Sequence, residues 1–302
     1  LLIAGQPEDG YAEYPRWIKE DCEEVKKLEV PGIQNEDILM LVSSKITEER
    51  KDEYTAIADV VEGIAKGNTL SAIFAVYEAS MCSNILELEK RLTDRKLHVN
   101  IEEYYSSIWD NAVRKITSYG FVDYKIAGML ALFNEKLDGH LLTDVFSEEN
   151  ISQRSWEDIL ETLKPLVVEE NGKYRLFHND VKVFLAKIIN QSNRVKYISD
   201  AIASYYISMR SKTKVYYYDI CKFLRMAERK TEIITIFSPR FIIEAYVNGV
   251  SLETLSIYAT EILKDLLCVK DIDWNSMVNL SASWNTIEQI RNTEYEIEDF
   301  VF

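Results

Sequence analysis

Apolar residues recur three and four positions apart along most of this chain, the spacing that gives an α-helix one apolar face. A clear example is the set Tyr54, Ile57, Val61 and Ile64. Glycine and proline, which end helices and form tight turns, number only 10 and 5 among 302 residues. This number of turn-forming residues is too small to connect many short strands. We therefore predict a mainly α fold.

One segment departs from this helical spacing. In LVVEENGKYRLFH, residues 166–178, apolar and polar residues alternate around Asn171-Gly172, the strongest short-range signal for a β-hairpin. Helices before and after a hairpin predict a winged-helix domain at 119–192. We predict the accompanying helices at about 124–136, at 140–147, from Ser155 until Pro165, and after the hairpin with Val181, Phe184, Leu185 and Ile188 on its apolar face.

The rest of the chain is also predicted to be helical, apart from its start. Asn35, Asn68 and Asn100 are predicted to cap helices, the last together with Glu103. From residue 193 on, short amphipathic segments follow one another without a fixed period, which indicates an irregular helical array. LLIA, residues 1–4, predicts a single buried strand.

The charge of the chain disfavours two classes of partner. Acidic residues outnumber basic ones by 50 to 35, which gives a net charge of −15 that repels nucleic-acid backbones and anionic lipids. In the third helix of the predicted winged helix, Glu157, Asp158 and Glu161 lie on the outward side, so we expect no nucleic acid to bind there. No run of 18 apolar residues occurs, so we predict no membrane span.

Cysteine usage indicates a cytoplasmic protein. Cys22, Cys82, Cys221 and Cys268 lie far apart, without the paired spacing typical of zinc sites or disulfide frameworks. We therefore expect free thiols in a reducing compartment. The sequence also shows no signal peptide.

Motifs that would make this chain an enzyme by itself are absent from the sequence. No phosphate-binding G-x-x-x-x-G-K-[ST] loop occurs, and the only Gly-Lys pair is Gly172-Lys173 in the predicted hairpin turn. His98, His140 and His178 do not have the spacing of metal ligands. We therefore assign no catalytic residue and no metal ligand.

Three segments together resemble parts of one family. LLIAGQP resembles the strand that carries sensor 1, KGNTLSAIFAVYEA (66–79) resembles the G-x-P-L-A segment of a first helical domain, and residues 142–185 resemble a winged helix whose last helix begins near Phe-His. In this order they resemble the STAND class of signal-transducing NTPases, which includes NACHT and NB-ARC proteins. The resemblance implies four parts, namely the end of a nucleotide-binding α/β domain (1–25), a first helical domain with a linker helix (26–118), the winged helix (119–192), and a helical array leading to a sensor (193–302).

The resemblance also implies a nucleotide and its contacts. In the family, ATP or ADP, with Mg²⁺, is bound mainly by a P-loop domain, which here would precede Leu1 in a longer polypeptide. Carried onto this sequence, His178 contacts the phosphate and Gly67, Asn68 and Thr69 lie near the adenine. Gln6 holds the sensor 1 position. Two positions depart from the pattern, since many members have proline where Thr69 stands and arginine where Gln6 stands.

The family role implies further expectations for the intact protein. A protein trigger binds a C-terminal region, which lies beyond Phe302 here, and promotes exchange of ADP for ATP. The protein then assembles with copies of itself and activates an effector, as in immune-type defence of prokaryotes against viruses.

Structural readings of the same residues stay open at this point. His178 lies three residues before Val181, so it fits a core histidine bonded to backbone, and Gly67-Asn68 fits a helix end followed by a helix cap. Tyr216, Tyr217 and Tyr218 fit core packing better than a recognition surface. The alternative to a nucleotide switch is a non-enzymatic acidic helical scaffold that binds a basic protein partner.

Overall fold

The computed structural model describes residues 32–133, 137–146, 152–209, 214–267 and 274–298. Helices make up most of these residues, and the strands among them form one small sheet, which confirms the predicted mainly α fold. Contacts between residues divide the chain into two compact units, Leu1–His98 and Val99–Phe302, and each is described by itself. The predicted strand at 1–4 lies outside the described residues.

Helices that pack on one another form the described part of the first unit. α2 (Tyr54–Ala65) packs against α1 (Asn35–Lys45) and α3 (Thr69–Ser80), and α4 (Ile85–Asp94) packs against α3. Ile57 and Val61, on the predicted apolar face of α2, are fully buried. The elements are α1 (Asn35–Lys45), a 3₁₀ helix (Glu48–Glu53), α2 (Tyr54–Ala65), α3 (Thr69–Ser80) and α4 (Ile85–Asp94).

The cap of α1 differs from the prediction. Gln34, not Asn35, is the capping residue, so the predicted Asn35 cap is wrong. The carboxylate of Asp37 accepts a hydrogen bond from the Gln34 backbone N–H at 3.2 Å, which fixes the start of the helix one residue earlier. The side-chain amide of Asn35 instead donates to Glu62 on α2, at 2.6 Å.

The described part of the second unit contains eleven helices and three strands. They are α5 (Ile101–Ser118), α6 (Asp123–Leu132), β1 (Leu137–Asp138), α7 (Gly139–Val145), α8 (Gln153–Thr162), β2 (Val167–Glu170), β3 (Lys173–Leu176), α9 (Asn179–Ile189), α10 (Ser192–Ser208), α11 (Lys214–Met226), α12 (Lys230–Ile236), α13 (Pro239–Val247), α14 (Leu252–Leu267) and α15 (Trp274–Glu298). α5 belongs to this unit, since the chain divides at His98.

The predicted hairpin forms and carries an additional strand. β2 and β3 pair antiparallel with Glu170 opposite Lys173, and the turn residues Asn171 and Gly172 have φ of 55° and 74°. A positive φ at both positions is what a two-residue hairpin turn requires. β1 pairs with the free edge of β3, so the strand order is β1-β3-β2. The helix predicted at 124–136 ends earlier, at Leu132.

The helices around this hairpin pack as the apolar spacing predicts. α8 buries Trp156, Ile159 and Leu160, and the ring of Trp156 stacks on Phe121 at a centroid distance of 5.4 Å. α9 buries Val181 and packs against α6. This arrangement fixes the junction between β3 and α9, where His178 lies.

α10 joins the helices around the hairpin to the helices that follow them. α10 packs against α6, α7 and α11. The ammonium group of Lys125 on α6 lies 4.8 Å from the ring centroid of Tyr197 on α10, and the guanidinium of Arg194 lies 5.0 Å from the ring of Tyr124. These cation–π contacts add to the apolar packing between the two helices.

The array consists of short helices followed by one long helix. Tyr216 and Tyr217 are buried and Tyr218 is 44% exposed, which confirms their prediction as mainly core residues. The sequence predicted helical structure here but not one long helix, because the buried face of α15 includes serines as well as apolar residues. The Ser283 hydroxyl, for example, is fully buried and donates to the carbonyl of Phe237 at 3.1 Å. Among the helices in the described ranges, none is both long and apolar enough to cross a membrane.

Candidate functional site

His178 is the capping residue of α9. Its backbone is extended, with φ −145° and ψ 155°, as the strand-to-helix junction requires. The backbone N–H of Asp180 donates to Nδ1 of His178 at 3.2 Å. Because Nδ1 accepts this bond, the neutral ring carries its proton on Nε2, an assignment made from the donor geometry. The ring is thus held by the start of α9.

The imidazole of His178 is accessible rather than part of the core. Its side chain is 39% exposed. The interpretation of His178 as a core histidine bonded to backbone is therefore half correct. The ring does bond to backbone, but it is not buried. Nε2 can therefore bond to a ligand while Nδ1 caps the helix.

A cavity of about 280 Å³ opens beside His178 within the second unit. Arg175 from β3 and Lys182 from α9 line it together with His178. Residues of α6, β1 and β3 provide apolar walls, which lower the local dielectric and strengthen charge interactions inside. These walls are Leu130, Phe133, Leu137, Tyr174, Leu176 and Phe177.

Basic and acidic groups lie close together beside this cavity, since a carboxylate oxygen of Asp180 lies 3.6 Å from Nδ1 of His178. Arg175 is held across the hairpin by Glu170, with Nη2 and Nε at 2.6 and 3.1 Å from one carboxylate oxygen. Behind the cavity, the Lys222 ammonium group donates to the carbonyl of Leu132 at 3.3 Å. Burial lowers the pKa of Lys222, the carboxylate of Asp219 opposes this shift, and the charge of Lys182 adds to it.

Burial also affects the phenol that lines the cavity. It raises the pKa of Tyr174, and the negative charge of Glu169 adds to the shift. The phenol of Tyr174 therefore stays protonated near neutral pH and does not reduce the positive charge of the cavity.

The second group of candidate residues forms a turn between α2 and α3 in the first unit. Lys66 and Gly67 both have a positive φ, 48° and 83°, and end α2. The side-chain oxygen of Asn68 accepts from the backbone N–H of Ser71 at 2.9 Å, which confirms Asn68 as the cap of α3. Thr69 is the first residue of α3 and is exposed.

The backbone before α1 supports this turn. The N–H of Ile33 donates to the carbonyl of Gly67 at 3.1 Å. A Cβ at Gly32 would lie 2.6 Å from that carbonyl oxygen, so only glycine allows this approach. The Gly67 turn is therefore fixed from outside as well as by its own caps.

Gly32→Ala is expected to destabilise the first unit by about 1–2 kcal/mol, because backbone atoms that cannot rotate away must separate. Hydrogen exchange measured by mass spectrometry on peptides spanning 54–80 provides the readout, and faster exchange is expected. Gly63→Ala is the matched control, since a Cβ at Gly63 meets nothing within 4 Å. Unchanged exchange in Gly32→Ala would contradict the close approach.

The predicted site residues belong to different units. His178 lies in the second unit and Gly67, Asn68 and Thr69 lie in the first, while Gln6 lies outside the described residues. The sequence did not predict Arg175 or Lys182 as site residues. Their spacing carried a signal, because Lys182 follows His178 by one helical turn and so lies on the same side of α9.

Two further observations concern metals and thiols. Within the described ranges, no group of three or more His, Cys, Asp or Glu side chains could hold a metal ion. Cys82 and Cys221 are buried free thiols, and Cys22 and Cys268 lie outside the described residues. Burial raises the pKa of the thiols of Cys82 and Cys221. These two cysteines are therefore core residues of low reactivity.

Comparison of the chain with known proteins finds no matching family model, no matching curated protein and no matching solved structure.

Proposed function

We propose that this chain is the switch region of a STAND-class NTPase, which couples exchange of ADP for ATP to assembly of the protein with copies of itself. The observation that carries the proposal is His178, an accessible imidazole on the first turn of α9 beside a cavity lined with basic groups. Segment order supports it, since the segment around Gly67 precedes the winged helix at the separation that the family resemblance implies.

The residues around His178 suit the phosphate of a nucleotide. With Nδ1 held by Asp180, the N–H at Nε2 is the hydrogen-bond donor of the ring. The start of α9 adds the positive end of a helix dipole. ADP or ATP, with Mg²⁺ bound mainly by an upstream P-loop domain, would supply the hydrolysable phosphate. The turn at Gly67, Asn68 and Thr69 would lie near the adenine.

The surface of the winged helix supports protein partners over nucleic acid. Glu157 and Glu161 on α8 are exposed. Asp158 on α8 forms an ion pair with Lys115 on α5 at 2.8 Å. A side chain that would face a groove of DNA if α8 bound nucleic acid therefore contacts α5 instead. The partners proposed are a second copy of the protein and a protein trigger, and the compartment proposed is the cytoplasm of a prokaryotic cell defending itself against viruses.

The test measures bound nucleotide in the intact protein that contains the upstream domain. The purified protein is denatured and the released nucleotide is quantified by ion-pair chromatography. His178→Asn keeps a side-chain oxygen that caps α9 but removes the imidazole, and is expected to weaken nucleotide retention about tenfold. His178→Ala removes both and is expected to lower the free energy of unfolding by about 1 kcal/mol in addition.

His140→Ala is the matched control, because His140 is an exposed histidine on α7 in the same unit. Near-stoichiometric ADP in the wild type and in this control, with loss in His178→Asn, would support the switch. Equal retention in all variants would remove the role of His178. A wild type without nucleotide that also fails to bind added ATP would favour the acidic scaffold instead.

A further inference from the structure

Three basic side chains line one cavity of a strongly acidic chain. The net charge is −15, yet Arg175, His178 and Lys182 all line the same cavity. Glu170 pairs with Arg175, and a carboxylate oxygen of Asp180 lies 3.6 Å from Nδ1 of His178. What the three residues share is therefore a set of N–H donors beside one cavity, and such donors suit the oxygens of an anion.

The side chains of this cluster come from two elements that the fold holds together. Arg175 lies on β3, and Lys182 lies on α9, one turn beyond His178. α9 packs directly against β3. The positions of the two basic residues relative to His178 are therefore set by regular structure rather than by loops, as a preformed binding site requires.

The bonds between Arg175 and Glu170 do not use all the N–H donors of the guanidinium. Its Nε and Nη2 groups both donate to one oxygen of Glu170, which holds the guanidinium beside the cavity. A guanidinium carries five N–H donors in a planar fork, and the Nη1 group takes no part in these two bonds. That fork matches the oxygens of a phosphate, whereas the ammonium of Lys182 acts as a point charge.

We propose that Arg175 and Lys182 bind the same phosphate-bearing ligand as His178, so that the cavity is a three-residue site for a di- or triphosphate chain. This inference rests on the proposed function for the identity of the natural ligand as a nucleotide, but the described residues that line the cavity all belong to the second unit. A chain of two phosphates offers enough oxygens for three separate donors, whereas a single carboxylate offers two.

The first experiment uses inorganic pyrophosphate with this 302-residue chain. Binding is followed by isothermal titration calorimetry at fixed ionic strength. Wild type is expected to bind saturably, and Lys182→Gln and Arg175→Gln are each expected to weaken binding about tenfold. Lys187→Gln is the control for Lys182, because Lys187 is exposed on the same helix and pairs with Glu102 at 2.6 Å. Lys173→Gln, on the same strand, is the control for Arg175.

The results separate the alternatives. Weaker binding in the two cavity variants with unchanged binding in both controls would support the site. A uniform small decrease in all four variants would overturn it, since that result would indicate general electrostatic attraction. Undetectable binding to the wild-type chain would overturn it as well. Circular dichroism of each variant checks that the fold is kept.

A second measurement separates this inference from the proposed function. In the intact protein, Lys182→Gln is expected to release bound nucleotide about tenfold faster than Lys187→Gln. If the intact protein holds no nucleotide but the chain binds pyrophosphate through Lys182, the proposed function fails and the anion site stands. If the intact protein holds nucleotide equally well in both variants, the proposed function stands and the role of Lys182, and with it the three-residue site, is overturned.

Discussion

Glu78→Ala is expected to lower the free energy of unfolding of the first unit by about 3 kcal/mol, because it leaves buried arginine groups without their carboxylate. Glu78 on α3 is completely buried. Its carboxylate contacts Nε of Arg91, and its second oxygen lies 3.7 Å from Nε of Arg95. The two arginine side chains are 32% and 22% exposed, so partial rehydration keeps the loss at the lower end of the range for buried pairs.

The same end of α3 is held by a third arginine, and this makes the site sensitive. The guanidinium of Arg50 donates to the carbonyls of Ala79 and Cys82 at the end of this helix, at 3.0 and 2.6 Å. Loss of the Glu78 carboxylate would leave Arg91 and Arg95 without its negative charge, whereas Arg50 keeps its own partner, Glu53, at 2.7 Å. The packing of α4 on α3 depends on this balance of charge.

Hydrogen exchange by mass spectrometry measures this effect unit by unit, which matters because a chain with two units need not unfold in one step. Peptides from 54–98 are expected to exchange faster in Glu78→Ala, and peptides from 153–208 are expected to stay unchanged. Glu78→Gln keeps the volume and is expected to cost about half as much. Glu89→Ala, at an exposed position on α4, is the control. Equal exchange in Glu78→Ala and Glu89→Ala would refute the buried ion pair.

Sequence patterns could not have identified Glu78. Phe74 of α3 is buried as an apolar residue should be, but the helix is surrounded on most sides and also buries Ser71 and Glu78. A helix buried nearly all round has no single apolar face for periodicity to detect. The partners of Glu78 lie in another helix, and pairing between helices is a property of the tertiary structure.

The hairpin and the helices around it were largely predictable because their signals are local. Asn171-Gly172 determines the hairpin turn by itself, since both residues accept positive φ. β1 could not be predicted, because a strand of two residues has no period and forms only where β3 offers an edge. The position of His178 at the strand-to-helix junction follows from the local sequence and was predicted. Its exposure and the cavity beside it depend on how the elements pack and were not predicted.

Gly128→Val is expected to destabilise the second unit by about 3 kcal/mol, because the core has no room for the new side chain. A Cβ at Gly128 on α6 would lie 2.2 Å from Cδ1 of Ile198 on α10, and 3.1 and 3.2 Å from its two γ carbons. Ile198 is fully buried, so its side chain cannot turn into solvent. This glycine allows the first helix of the array to pack closely against the winged helix.

A double-mutant cycle tests whether the contact with Ile198 is the cause. Gly128→Ala alone is expected to cost about 1–2 kcal/mol, since the clash outweighs the gain of about 1 kcal/mol in helix propensity. Ile198→Ala removes all three carbon atoms that clash and is expected to cost about 3 kcal/mol through the cavity it leaves. In the double variant, the methyl group added at position 128 occupies part of that cavity, so the combined cost should be at least about 1 kcal/mol less than the sum.

Urea denaturation followed by tryptophan fluorescence measures these values, since Trp109 and Trp156 are buried in the second unit. Gly63→Ala again serves as the control; it lies in the first unit, where the added methyl group meets no neighbour, so it should leave the unfolding of the second unit unchanged. Additive costs for Gly128→Ala and Ile198→Ala would show that α6 and α10 do not meet at these two residues. A favourable coupling would establish that the winged helix and the array are joined through a contact that only a glycine permits.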